Sequence, residues 1–157
     1  MIIRPLIISF SCLLAGIHPP SPVIVTVNVT ESIVYAGTST LIPLWVEVKK
    51  GYHIQANRVN DQSLIPTTLE INDDKNITIS KQEFPPSKQF KLEGTSIFLD
   101  VYDETFPIKL FLSPVAKTQA GKYILGAKLR YQACDSKSCL FPKVIDFSIP
   151  VEVKNAE

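Results

Sequence analysis

Soft metal ligands are scarce in this chain, with three cysteines and two histidines in 157 residues. Cys12 and His18 fall in an N-terminal segment with the character of an export signal. That leaves Cys134, Cys139 and His53, short of the four ligands that close a zinc site. The sequence holds no Cys-x-x-Cys-His haem motif, no phosphate-binding glycine loop and no Ser nucleophile elbow. No metal and no cofactor is therefore expected. Charge of one sign is lacking as well. The formal net charge is +1 and lysines and acids are scattered, so neither nucleic acid nor an anionic membrane surface is an expected partner. Beyond the N-terminal segment no apolar run approaches the roughly 20 residues of a spanning helix, and the mature chain should have no stable membrane span. Helical spacing, internal repeats and low-complexity tracts are equally hard to find.

What is present begins with the N-terminus. Arg4 precedes an apolar run from Pro5 to Ile17, and small residues and prolines follow through Pro20, the pattern of a secretory signal. Residues 1–20 are expected to be a signal peptide. Residues 21–157 are expected to form a single domain of roughly 135 residues, large enough for its own core and too small for two. Ser9-Phe10-Ser11 ahead of Cys12 makes a poor lipoprotein signal. The expected location is periplasmic or otherwise extracytoplasmic, where a cysteine pair can stay oxidised.

The mature region alternates with the period of strands. Val23–Val29, Leu44–Val48, Ile97–Val101 and Ile145–Ile149 all place apolar residues at every second position, and β-branched and aromatic residues dominate. Turn signals separate them at Lys50-Gly51, Asn72-Asp73-Asp74, Pro85-Pro86, Asp103-Glu104 and Ala120-Gly121. Short strands at this spacing predict an all-β fold, an immunoglobulin-like antiparallel β-sandwich. Trp45 falls within an alternating strand and is expected in the core. The acidic pairs Asp73-Asp74 and Asp103-Glu104 occupy turns, where such residues serve the backbone.

The chemistry concentrates in Leu129-Arg130-Tyr131-Gln132-Ala133-Cys134-Asp135-Ser136-Lys137-Ser138-Cys139-Leu140-Phe141-Pro142. Two cysteines across a short polar turn can be a staple, part of a metal site or a redox switch. Strand parity puts Tyr131 and Ala133 on one face and Arg130, Gln132 and Cys134 on the other, so Cys134 belongs to a polar face. An inter-sheet staple requires the opposite. A bridge from Cys134 to Cys139 closes only about six residues, for which the chain entropy removed is worth about 2 kcal/mol. Asp135 and Lys137 push a thiolate in opposite directions. The residues alone leave redox exchange and a structural disulfide both open.

The same string resembles the cysteine hairpin of the N-terminal periplasmic domain of the thiol:disulfide interchange protein DsbD. Gly51-Tyr52-His53-Ile54-Gln55-Ala56-Asn57 followed by Leu64–Glu70 is similar to a second segment of that family. The resemblance implies an immunoglobulin-like sandwich that takes electrons from a thioredoxin-like domain. It hands them to thioredoxin-fold acceptors such as a disulfide isomerase or a thioredoxin of cytochrome c maturation. It implies that Cys139 joins partners through a mixed disulfide and that Cys134 resolves it. In the family a cap loop bearing a phenylalanine shields the disulfide. Lys81–Pro86 occupies a suitable place, with Phe84 as the cap candidate and Glu83 beside it. His53 and Tyr131 complete the cap or tuning candidates. The chain departs from the family where His53 and Gln55 stand in a tyrosine-bearing segment, and where Lys143 replaces a second proline. With no electron-conducting membrane domain in the sequence, the electrons are expected from a separate partner. The alternative is a non-catalytic binding or assembly module with a fixed disulfide, and burial of the sulfurs between the sheets would favour it.

Overall fold

Twelve strands follow one another without a helix among the described residues, which in this computed structural model are 23–155 except Asp73. The expected signal peptide, with Cys12 and His18, lies outside them. In chain order the strands are β1 (Val25–Asn28), β2 (Ser32–Tyr35), β3 (Thr40–Val48), β4 (His53–Gln55), β5 (Thr68–Ile71) and β6 (Ile77–Glu83). They continue with β7 (Lys88–Lys91), β8 (Phe98–Tyr102), β9 (Thr105–Pro114), β10 (Gly121–Tyr131), β11 (Ala133–Cys134) and β12 (Lys143–Lys154). Lys50-Gly51, Pro85-Pro86 and Asp103-Glu104 fall between strands, and Ala120-Gly121 leads into β10. Gly51 supplies a positive φ of 86° between β3 and β4, and Glu104 accepts φ 56° in the tight connection from β8 to β9.

Two four-stranded sheets, ordered β1-β3-β9-β6 and β2-β12-β10-β5, form the expected immunoglobulin-like sandwich. Their inner faces supply the main core: Leu44 and Val46 on β3, Ile108 and Leu110 on β9, Leu129 on β10, Val151 on β12. Alternation along each strand explains this, because successive side chains take opposite faces. Neighbouring strands are antiparallel with one exception, β2 alongside β12, whose register pairs Val151 with Ser32 in parallel.

Trp45 corrects an expectation. Leu44 and Val46 are buried, so their neighbour between them points outward, and Trp45 is 43% exposed. Strand parity outweighs the preference of a large aromatic for the core.

A third sheet is ordered β11-β4-β8-β7. Its register gives it two distinct faces. Ile54 pairs with both Ala133 and Tyr102, and all three belong to the main core. Cys134 pairs with His53, Gln55 with Val101, and Phe90 with Leu99, all on the opposite face. That face has an apolar cluster of its own, built from Leu92, Leu99, Val101 and Cys134 with Leu64, Phe90 and Cys139 packed on it.

Candidate functional site

The cysteine hairpin is held by its backbone before any sulfur chemistry is considered. Leu140 N–H donates to Ala133 O at 2.7 Å and Asp135 N–H to Ser138 O at 2.9 Å. The Asp135 carboxylate accepts the N–H groups of Lys137 and Ser138, both at 2.8 Å. These backbone hydrogen bonds, that of Lys137 first, hold the Asp135 carboxyl below the usual carboxylate range. Asp135 is therefore a turn-forming group. Gln132 fastens the base of the hairpin, donating to Leu140 O at 3.1 Å and accepting from Ile65 N–H at 2.8 Å.

This turn brings Cys134 and Cys139 into a disulfide with Cα atoms 3.9 Å apart. The two sulfur environments differ. Cys134 is 0% exposed, whereas Cys139 is only half-buried at the rim. Parity placed Cys134 on the face opposite Ala133, and the structure keeps it there. The face is not solvated, however, and this corrects the polar-face reading. β7, β8 and their connection, in the same sheet, surround Cys134 there with Phe90, Leu92, Leu99 and Val101. That connection, residues 92–97, is tied to the cysteine turn by Glu93 N–H to Ser136 O at 2.8 Å and Ser136 Oγ–H to the Glu93 carboxylate at 3.2 Å. The disulfide thus lies outside the main inter-sheet core, in a small apolar chamber of its own.

Among the described residues one polar side chain hydrogen-bonds the sulfurs. Gln55, fully buried on β4, places Nε2 at 3.1 Å from Cys134 Sγ and 3.6 Å from Cys139 Sγ. Its backbone is fixed on both sides, with N–H donating to Gln132 O at 3.0 Å and the carbonyl accepting the Thr67 hydroxyl. Its Oε1 is buried without a partner.

The other sequence candidates are dispersed. His53, opposite Cys134 in the ladder, packs its ring 3.8 Å from that of Phe90, centroid to centroid. Its buried Nδ1 has no hydrogen-bond partner and lies 4.0 Å from the Asp103 carboxylate. Burial lowers the His53 pKa, Asp103 partly restores it, and Lys88 lowers it further. Tyr131 is on the other side of the hairpin in the main core, where burial raises its phenol pKa. Phe84 also packs on the main core, with its ring stacked on Tyr102 at 6.3 Å. The phenylalanine in the cysteine chamber is Phe90. Glu83, at the end of β6, is engaged by Lys81 Nζ at 2.5 Å, and that hydrogen bond keeps its carboxyl low. Among the described residues no three His, Cys, Asp or Glu side chains gather to hold a metal.

Sequence reasoning quoted Gln55 without assigning it a role, and it did not find Phe90. Parity around Ile54 puts His53 and Gln55 on one face, but only the pairing of β4 with β11 aims that face at the sulfurs.

The sequence profile of the family described as "Thiol:disulfide interchange protein DsbD, N-terminal" matches residues 21–149. No curated protein sequence matches the chain. Among solved structures, the N-terminal periplasmic domain of ScsB from Proteus mirabilis superposes with a TM-score of 0.57 at 15% identity. That superposition covers 85% of this chain and 48% of the other, so the chain spans about half the length of that domain. The N-terminal domain of Neisseria meningitidis DsbD in the reduced form gives a TM-score of 0.42 at 16% identity, covering 73% of this chain and 79% of that one.

Proposed function

This chain belongs to the family of DsbD N-terminal domains, and on that premise we propose that it carries reducing equivalents outside the cytoplasm by cycling Cys134 and Cys139 between disulfide and dithiol. A thiolate of a reduced thioredoxin-fold donor attacks Cys139 Sγ. The Cys134–Cys139 bond breaks, a donor–Cys139 mixed disulfide forms, and the electron pair leaves on Cys134 Sγ. The donor's second thiolate then attacks its own bridged sulfur, closing the donor disulfide and releasing Cys139 as a thiolate. Two electrons have moved, and the domain's two thiolates take up two protons from solvent. An oxidised acceptor runs the same steps in reverse, with Cys139 attacking and Cys134 resolving.

The observation that carries this reading is the asymmetry of the pair, a buried Cys134 beside a half-exposed Cys139. Exchange requires one sulfur that an incoming thiolate can approach and one that waits inside. Phe141, two residues beyond Cys139 and 92% exposed, offers an apolar contact for a docking partner beside the reacting sulfur. Residues 1–20 as a signal peptide and a periplasmic location suit this chemistry, because the compartment must not hold the pair permanently reduced.

The competing reading, a binding or assembly module with a fixed disulfide, has one observation in its favour, the apolar chamber that encloses Cys134. The reduction potential decides between them. Equilibration of the mature domain with glutathione or dithiothreitol buffers should give a value between roughly −120 and −270 mV, whereas a value below about −300 mV marks a structural bond and removes the carrier reading.

A further inference from the structure

We propose that Gln55 is the internal hydrogen-bond donor that receives the charge on Cys134 when the disulfide opens, and so sets how readily the pair is reduced. The inference rests on the exchange reading above and names a residue that acts within it.

The disulfide state fixes the orientation of the amide. A disulfide carries no hydrogen, so an amide facing it has only its NH₂ end to offer. Nε2 lies between the two sulfurs and closer to Cys134, 3.1 Å against 3.6 Å. Cys134 is the sulfur on which the electron pair lands when a partner thiolate bonds to Cys139. Its surroundings oppose that charge, since Leu92, Leu99, Val101 and Phe90 offer a thiolate nothing, His53 opposite it packs on Phe90 without a hydrogen bond to either sulfur, and an apolar environment disfavours the ionised thiol. Among the described residues, Gln55 is the one side chain that hydrogen-bonds either sulfur. A hydrogen bond to an ionised acceptor is roughly twice as strong as one to a neutral acceptor. The contact therefore strengthens as the bond breaks, and this preference for the charged state is what accelerates a step.

The far end of the same amide supports the assignment. Oε1 is buried with no donor while the disulfide is closed, an arrangement that costs free energy. Reduction creates the missing donor. Once Cys134 takes a proton its S–H can be accepted by Oε1 after a half-turn of the amide about its terminal torsion, which is a soft one. Gln55 thus serves the thiolate through Nε2 and can accept from the thiol through Oε1, and it is the contact with the thiolate that favours opening of the disulfide. The backbone bonds to Gln132 and Thr67 hold the residue in place during the exchange.

The test compares the mature domain with Gln55→Leu and Gln55→Met, which retain apolar bulk and remove the amide. Each variant should shift the equilibrium constant with glutathione about tenfold toward the disulfide, which is about 30 mV for this two-electron couple. Dithiothreitol should open the bond about tenfold more slowly, and the ultraviolet absorbance of the thiolate should appear at higher pH. Should neither variant fold, the wild-type protein still reports. The Gln55 side-chain NH₂ resonances should move between oxidised and reduced forms and titrate together with the Cys134 thiol. Variants within twofold of wild type in both equilibrium and rate, or amide resonances that ignore the thiol titration, overturn the proposal. The carrier reading fails separately, if the wild-type potential itself lies in the structural range given above.

Discussion

Ala133 and Cys134 are consecutive residues of one short strand that belong to different apolar clusters, Ala133 to the main core between the large sheets and Cys134 to the chamber that β7, β8 and their connection line. The third sheet separates them. A sulfur in the main core can be reached only by unfolding the sandwich. A sulfur in the chamber is covered by Phe90, Leu92 and the 92–97 connection, and a local opening of such a cover costs less free energy than global unfolding.

The difference in exposure between the two sulfurs gives the first prediction. Cys134→Ala leaves the half-exposed Cys139 as a lone thiol, and it should accumulate mixed disulfides with thioredoxin-fold proteins of an extracytoplasmic extract. Cys139→Ala leaves a thiol under Phe90 and Leu92, and trapping should fall by about tenfold because access limits exchange. Non-reducing electrophoresis with mass spectrometry reads both. Equal trapping by the two variants would mean that the chamber does not restrict Cys134.

Phe90 and Phe84 supply a second test, since they stand on different clusters. Phe90→Ala should speed reduction of the disulfide by dithiothreitol by about tenfold, again through access. As Phe90 is only partly buried, its loss should lower stability by about 1–3 kcal/mol, below the ~3–5 of a fully buried ring. Phe84→Ala removes a ring from Tyr102 and should lower stability while leaving the reduction rate within about twofold. The reverse pattern would return the cap to the β6–β7 connection.

Much of this was legible in the sequence because alternation is a local signal. Parity put Tyr131 and Ala133 on one face and Cys134 on the other, and the Lys50-Gly51 and Asp103-Glu104 turns fall where their residue types indicate. The cover over Cys134 was not legible, because β7 and β8 lie more than thirty residues upstream of it and nothing local says which hairpin returns. Phe84 and Phe90 are separated by six positions and look alike without the β7–β8 register. The parallel pairing of β2 with β12 and the splitting off of a third sheet are likewise set by long-range contacts. Trp45 is a different case. Its own alternation with Leu44 and Val46 already pointed outward, and a general preference for buried tryptophan overrode it.

Leu44 and Trp45 therefore make a paired stability experiment. Leu44→Ala deletes a fully buried side chain between the sheets and should lose about 2–5 kcal/mol. Trp45→Thr suits an exposed strand position and should lose less than about 1 kcal/mol. Urea denaturation monitored by circular dichroism is the readout, because the Trp45→Thr variant lacks the tryptophan. A larger loss at Trp45 than at Leu44 would contradict the assignment of faces.

Reduction of the disulfide should leave the domain folded. The bridge closes about six residues and contributes about 2 kcal/mol through chain entropy, while the sandwich core is independent of it. A reduced protein that keeps its far-ultraviolet spectrum and loses about that amount in urea supports a pair able to cycle in the native state. Wholesale unfolding on reduction would mark the bond as a staple.

His53 gives stability a pH dependence whose sign follows from its surroundings. Its folded pKa lies below the ordinary value of 6.5, chiefly because burial penalises the imidazolium, with Asp103 opposing and Lys88 adding to the shift. As pH falls through 6.5 the unfolded chain takes up this proton before the folded one does. The unfolded state then binds more protons, so stability decreases as pH falls from that point toward the folded pKa. Above the window both states are neutral at this site and the contribution is constant. The shifts of Asp61, Glu83 and Asp135 are downward too, away from this window. The urea midpoint of the wild-type domain should therefore drop between about pH 7.5 and pH 5, and His53→Gln should flatten that slope whatever it does to stability at neutral pH. A slope that survives the substitution unchanged would assign the proton uptake to another group and leave His53 as packing for Phe90.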